Sequence, residues 1–263
     1  MSVFLAILLS ILLVLVALIV SGIRNEKGNK KRQRVGIKWI QELVSLLSLV
    51  QQHRGLTSGY IGGDNSLMPR ILKLQDDIES IQQNINKNFI WIRSNGFWVG
   101  KMDHWLRLKT INRDKTKTYN FNQHNAFIRN LLHLIEDCAE QHHLQEMKCL
   151  NNTPANILWQ LLLNASESVG QARAIGTGIA ASGCSSSVER IKLHFLQEQL
   201  EQFLVRNPMP ELAPPIEALL TCIESQILIE KPSLNASQYF DLATNALNKI
   251  MDGFKLQITK LNA

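Results

Sequence analysis

The sequence predicts an all-α protein: one N-terminal transmembrane helix, then long antiparallel helices forming two stacked or shared up-down four-helix bundles. Three observations predict it. Residues 3–20 read VFLAILLSILLVLVALIV, 18 residues in which only Ser10 is polar, long enough to cross a bilayer. Apolar residues in the rest of the chain recur at helical spacing. No stretch sustains the period-2 alternation of β-branched residues that a strand needs.

Taken in order, the apolar run comes first, and Ser21, Gly22 and Ile23 extend it, so residues 1–23 form the expected anchor. A cleavable signal would put positive charge ahead of the run and a small-x-small site after it. Here the charge follows, and the exit Ile19-Val20-Ser21-Gly22-Ile23 is a poor cleavage site. Residues 24–35 read as a basic juxtamembrane linker. From Arg24 to Lys38 seven basic side chains stand against Glu26 alone, which accounts for the whole net charge of +6. The body beyond is neutral, so the basic pI reports topology rather than a nucleic-acid surface, and nucleic acid is not an expected partner. The positive-inside rule places the body in the cytoplasm of a bacterial inner membrane, crossed once. The basic run would also attract anionic headgroups.

Residues 36–262 form the expected helical domain. Ile37, Ile40, Val44, Leu47 and Val50 make one stripe, Leu67, Ile71, Leu74, Ile78, Ile81 and Ile85 a second, and Phe127, Leu131, Leu134 and Cys138 a third. Breaks at 62–65, 95–96, 113–118, 149–154, 182–187, 207–208 and 231–233 separate helices near 36–61, 66–95, 98–111, 119–145, 154–181, 186–206, 209–229 and 235–261. Thr153-Pro154 and Ser233 carry N-cap signals. The segment Ile216–Ile229 is too short, and too acidic at Glu217 and Glu224, to be a second span.

The informative charges are on these stripes. Continuing the first stripe past Val50 brings Arg54, then Thr57 or Ser58. The fifth helix carries Trp159, Leu163, Ser166, Gly170, Arg173, Thr177 and Ala180 on one face. Arg54 aligns with Arg173, Gly55 with Ala174, Leu56 with Ile175, Ser58 with Thr177 and Gly59 with Gly178. The chain thus holds two copies of Gln-x-Arg-small-aliphatic-x-Ser/Thr-Gly, 119 residues apart. A buried guanidinium needs a counter-charge, and no acid lies within a helical turn of Arg54. Two inward arginines with nearby hydroxyls make a pocket for a compact anion, since guanidinium presents a flat fork of donors. The other reading pairs them with carboxylates of other helices, such as Glu167, Asp76 or Glu189.

Gln51-Gln52-His53-Arg54-Gly55-Leu56-Thr57-Ser58-Gly59-Tyr60-Ile61, followed by Gly170-Gln171-Ala172-Arg173-Ala174, resembles the nitrate- and nitrite-sensing (NIT) domain family of bacteria. The resemblance spans residues 36 to about 255. It implies two up-down four-helix bundles, an arginine-lined pocket holding nitrate or nitrite, and Arg54 and Arg173 as ligand-binding residues, with His53, Ser58 and Thr177 beside them. It also implies signalling by helix rearrangement to an output. None follows the last helix, so a separate effector protein is expected, with a second copy of the chain, as a homodimer, a further candidate partner. Two features depart from the family: His53-Arg54 stands where some pockets use an arginine pair, and no arginine follows Arg206. The competing function is a membrane-tethered helical scaffold without a ligand.

Other motifs point to no chemistry. Cys138, Cys149, Cys184 and Cys222 show no CxxC pair and read as reduced thiols. Cys138, His142 and His143 supply too few converging ligands for structural zinc. Gly96-Phe97-Trp98-Val99-Gly100 lacks the Lys-Ser/Thr of a phosphate loop, and Gly62-Gly63-Asp64 lacks the Glu-Phe of a cyclase. Trp91, Trp98 and Trp105, seven residues apart, read as a packing seam. The sequence therefore predicts no catalytic residues, no metal, no cofactor and no enzyme activity.

Overall fold

A computed structural model describes residues 2–61, 65–110, 116–149 and 152–261. The Gly62-Gly63-Asp64 segment, Asn151 and much of the 113–118 break lie outside the described residues, as does Asn262 at the expected end of the domain. Every regular element described is helical, and an isolated bridge pairs Lys148 with Pro154.

Helix α1 runs unbroken over Ser2–Ile61, about 90 Å at 1.5 Å per residue. The basic stretch is part of this helix rather than a linker of irregular chain. It has no proline, and its Lys, Arg and Gln side chains are good helix formers. Burial begins at Gly36, and the described side chains from Phe4 to Ile23 face outward. Among the described residues no helix is long and apolar enough to cross a membrane. The span expected at 3–20 includes positions 3, 5, 6, 8 and 10, whose side chains lie outside the described residues.

The body continues with α2 (Met68–Asn88), α3 (Gly96–Lys109), α4 (Lys117–Gln141), α5 (Asn164–Ser182), α6 (Ser187–Arg206), α7 (Ala213–Cys222) and α8 (Ala236–Leu261). A π-helical turn, Leu158–Leu163, leads into α5, and another, Ile223–Ile227, follows α7. The breaks follow local chemistry. Asn95 and Thr116 accept hydrogen bonds from the Trp98 and Tyr119 amides, and Ser186 forms a reciprocal capping box with Glu189. Helix α4 stops at Gln141, earlier than expected, because His143 adopts a left-handed conformation at φ 54°. The expected cap at Thr153-Pro154 is not used, since Pro154 sits in the bridge with Lys148. Asn235, not Ser233, caps α8 by accepting from the Gln238 amide.

Side-chain pairings give the helix directions. Asn120 reaches Thr57 and Ser58, and Cys138 lies against Gly36, so α1 and α4 are antiparallel. Lys109 pairs with Glu79 and Trp98 with Asn86, so α3 returns along α2. Helix α5 packs on α8 and α6, and α7 on α8. Gln51 and Arg54 of α1 both meet Glu167 of α5, while Tyr239 and Thr244 of α8 meet Ala172 and Arg173. Tyr239 near the start of α8 also lies against Gly176, while Gln257 near its end shares a small cavity with Leu158 in the turn before α5, so α8 is antiparallel to α5. All three expected stripes face the core, with Ile37, Ile40, Leu47, Val50, Ile71, Ile78, Leu131 and Leu134 fully buried. Trp98 and Trp105 are buried too, and Trp91 stacks on Trp39.

Candidate functional site

The two aligned arginines lie near each other where α1, α5 and α8 approach, but their surroundings differ. Arg54 is 1% exposed and donates to Glu167 through both terminal nitrogens, Nη1 to Oε1 at 2.5 Å and Nη2 to Oε2 at 3.2 Å. Its Nη1 also reaches Asn125 Oδ1 at 2.7 Å, and the ring of Phe121 lies 5.6 Å from the guanidinium carbon. Glu167 is equally well served. Gln51 donates to Oε2 and Gln171 to Oε1, both at 2.9 Å. Four donors on one buried carboxylate offset its desolvation, and the bidentate fork neutralises Arg54. Gln51, one residue before the first copy of the motif, and Gln171, the glutamine of the second, therefore serve the same carboxylate. The pocket expected from two free cations is corrected here: Arg54 has an internal counter-ion.

Arg173 has none. Its Nη1 donates to Thr244 Oγ1 at 3.0 Å, and its guanidinium lies 4.8 Å from the centre of the Phe240 ring. Among the described residues no carboxylate forms an ion pair with it. Burial, aided by the nearby Arg54 charge and opposed by Glu167, lowers its pKa to about 10, which leaves it protonated at neutral pH. It is 9% exposed and lines a cavity of about 1020 Å³ between α1 and α8.

Close backbone approach builds this corner. A Cβ at Gly170 would stand 2.8 Å from Arg54 Nη2, and one at Gly176 would stand 2.3 Å from the Tyr239 ring. Tyr239 in turn donates to the Ala172 carbonyl at 3.0 Å, tying α8 to α5 one residue from Arg173.

The remaining expected residues separate. His53 does not join Arg173. It faces α2 and α4, and the pattern of partners fixes the protons along a chain. His124 Nδ1 lies 2.8 Å from the Asn120 carbonyl and must donate there. Its Nε2 therefore accepts from His53 Nδ1 at 2.8 Å, and His53 Nε2 accepts from Gln75 at 3.1 Å. Burial lowers His53 to about 4. Burial, with the neighbouring His53, lowers His124 to about 3. Both are neutral and add no charge to an anion pocket. Ser58 accepts from Asn120 Nδ2 at 3.1 Å and is likewise engaged. Thr177 Oγ1 is buried without a hydrogen-bond partner. Cys138 Sγ lies 3.9 Å from His142 Nδ1, and no group of three metal-ligating side chains occurs among the described residues.

Thr244, Phe240 and Asn125 were not apparent from sequence. Their signal is weak, because a polar residue on an amphipathic helix reads as a solvated face until its neighbour is known. No family model matches the chain, and no curated protein and no solved structure is significantly similar to it.

Proposed function

We propose that this chain is an anion-responsive helical sensor of the nitrate- and nitrite-sensing kind, held at a bacterial inner membrane by residues 1–23 with its body in the cytoplasm. The frame is two up-down four-helix sets, α1–α4 and α5–α8, meeting at Glu167. Arg173 carries this reading. It is a buried cation with no carboxylate partner among the described residues, and it opens onto the cavity between α1 and α8. Nitrate or nitrite beside Arg173 would supply the missing counter-charge and accept from a planar fork of donors. Neutralising the charge between α5 and α8 would favour a closer packing of these helices, and a separate effector would read that packing. The switch requires that the anion bind one packing more tightly than the other. Arg54 acts indirectly, by holding Glu167 away from Arg173.

Isothermal titration of the full chain in lipid nanodiscs with nitrate, nitrite, chloride and sulfate tests this. Saturable nitrate or nitrite binding that vanishes in Arg173→Gln is expected. No saturable binding of any anion, or equal binding by the variant, would overturn it.

A membrane-tethered scaffold is the second reading. Val188, Ile191 and Phe195 are exposed along one face of α6 and support it. Under that reading, Ile191→Glu releases the partner and anions have no effect on it.

A further inference from the structure

We propose that the cavity beside Arg173 takes an amphiphilic carboxylate, a monoanion with an extended apolar chain. This rests on Arg173 as the anion-binding residue and departs from a small inorganic ion as the full occupant.

Size is the first argument. The cavity measures about 1020 Å³. A water molecule occupies about 30 Å³, and sites for organic ligands of moderate size run from about 300 to 1,000 Å³. A four-atom anion at Arg173 would leave nearly all of this space to solvent.

Polarity along the cleft is the second. Gln51 and Arg54 of α1 meet Glu167, whereas Arg173, further along α5, meets Thr244 and Phe240 near the start of α8. From that level the lining runs back along α1 to Gln41 and forward along α8 to Thr259, so the two helices cross the cleft antiparallel. Gly55 and Leu56 share one end with Phe240 and Thr244, and Gln41 and Val44 share the other with Ile258 and Thr259. Arg173 marks the first end, where Leu67 and Arg70 from the start of α2 also line the wall. From Leu56 to Gln41 the cleft extends about 22 Å, floored by Val44, Leu247, Met251, Phe254 and Ile258. Lys255 and Asp252 bring opposite charges to this stretch. One end is thus cationic and the long remainder is apolar on its floor, which matches a carboxylate head and an alkyl tail.

Calorimetry of the full chain in nanodiscs, with a series from acetate through butyrate to octanoate, tests the assignment. Octanol serves as the neutral control and nitrate as the small anion. Subtracting matched titrations of protein-free nanodiscs cancels partition into the lipid. Each buried methylene should strengthen binding by about twofold to fourfold, so octanoate should exceed butyrate by at least about tenfold. Ser48→Trp, which fills the cleft away from Arg173, should abolish this gain and spare acetate. Circular dichroism confirms that Ser48→Trp and Arg173→Gln remain folded. Octanol binding as tightly as octanoate, or no loss in Arg173→Gln, would overturn the assignment. Nitrate binding with no dependence on chain length in the carboxylates would overturn the amphiphile and leave the small-anion site standing. No binding by any anion would overturn both.

Discussion

Arg54 and Arg173 begin from the same local pattern, an arginine on a helix with glutamine before it and small residues after. They end in opposite electrostatic states. Arg54 is closed by Glu167, Asn125 and a ring face. Arg173, a helix away, has one hydroxyl, one ring face and a cavity. Local sequence sets the residue and its direction, but the neighbouring helix decides whether it becomes a structural ion pair or an open site. One carboxylate, Glu167, makes the difference, and removing either member of its pair should have the largest effect. Glu167→Ala leaves a fully buried guanidinium without a counter-charge and should cost about 3–5 kcal/mol in urea denaturation. Arg173→Met removes a buried cation that has no partner, and should change stability by under about 1 kcal/mol in either direction. Equal losses in the two variants would erase the distinction.

Acid should separate the two regions next. The Arg54 side holds the buried neutral pair His53 and His124, whereas α5–α8 contain no buried histidine among the described residues. Their folded values, about 4 and about 3, lie below the ordinary 6.5. As pH falls the unfolded chain takes up protons first, so their contribution is intact above about 6.5 and is lost as pH drops toward 4 and 3. At up to about 1.4 kcal/mol per pH unit for each group, the loss by pH 5 is about 2–4 kcal/mol. Hydrogen exchange at pH 5 should show α1 and α4 opening before α5 and α8, and His124→Gln should flatten the pH dependence. Uniform loss of protection would argue against the assigned chain of protons.

A glycine pair sharpens the comparison on a smaller scale. Gly176→Ala drives a methyl into the Tyr239 ring and should cost about 1–3 kcal/mol. Gly55→Ala meets nothing within 4 Å and should stabilise α1 by about 0.5–1 kcal/mol, read from thermal melts. Gly176, three residues after Arg173, is there for close approach to α8, and Gly55, next to Arg54, serves no such approach.

The same contrast shows how far the sequence could be read. The stripes ending at Val50, Ile85 and Cys138 predicted both the helices and their buried faces, because periodicity reports burial directly. That burial along α1 starts at Gly36 was legible for the same reason. The continuity of α1 through 24–35 was not, since charge density suggests a linker while propensity alone favours helix. At the site, both arginines were legible as charges on apolar faces. Glu167 was one of three candidate partners, and only the α1–α5 register selects it over Asp76 and Glu189. The neutrality of His53 was hidden too, because it comes from burial among helices distant in sequence, including the one that carries His124, 71 residues away.

Thr177 gives the finest test, because the size of its stability effect reports whether the hydroxyl serves the ligand or the packing. It aligns with Ser58, yet Ser58 accepts from Asn120 while the Thr177 hydroxyl is buried with no partner. An unsatisfied buried hydroxyl costs about 1–3 kcal/mol in desolvation. Replacing it with a methyl of nearly the same shape removes that cost, so Thr177→Val should raise stability by about 1 kcal/mol in the ligand-free protein. Ser58→Ala, by contrast, removes a working acceptor and should lower it by about as much. Measuring Thr177→Val again with saturating anion completes the test. If Thr177 donates to the ligand, the gain shrinks or reverses, because the variant loses a bond that only the bound state makes. If the gain is unchanged with anion present, the hydroxyl belongs to the helix packing and the ligand is held by Arg173 and Thr244 without it.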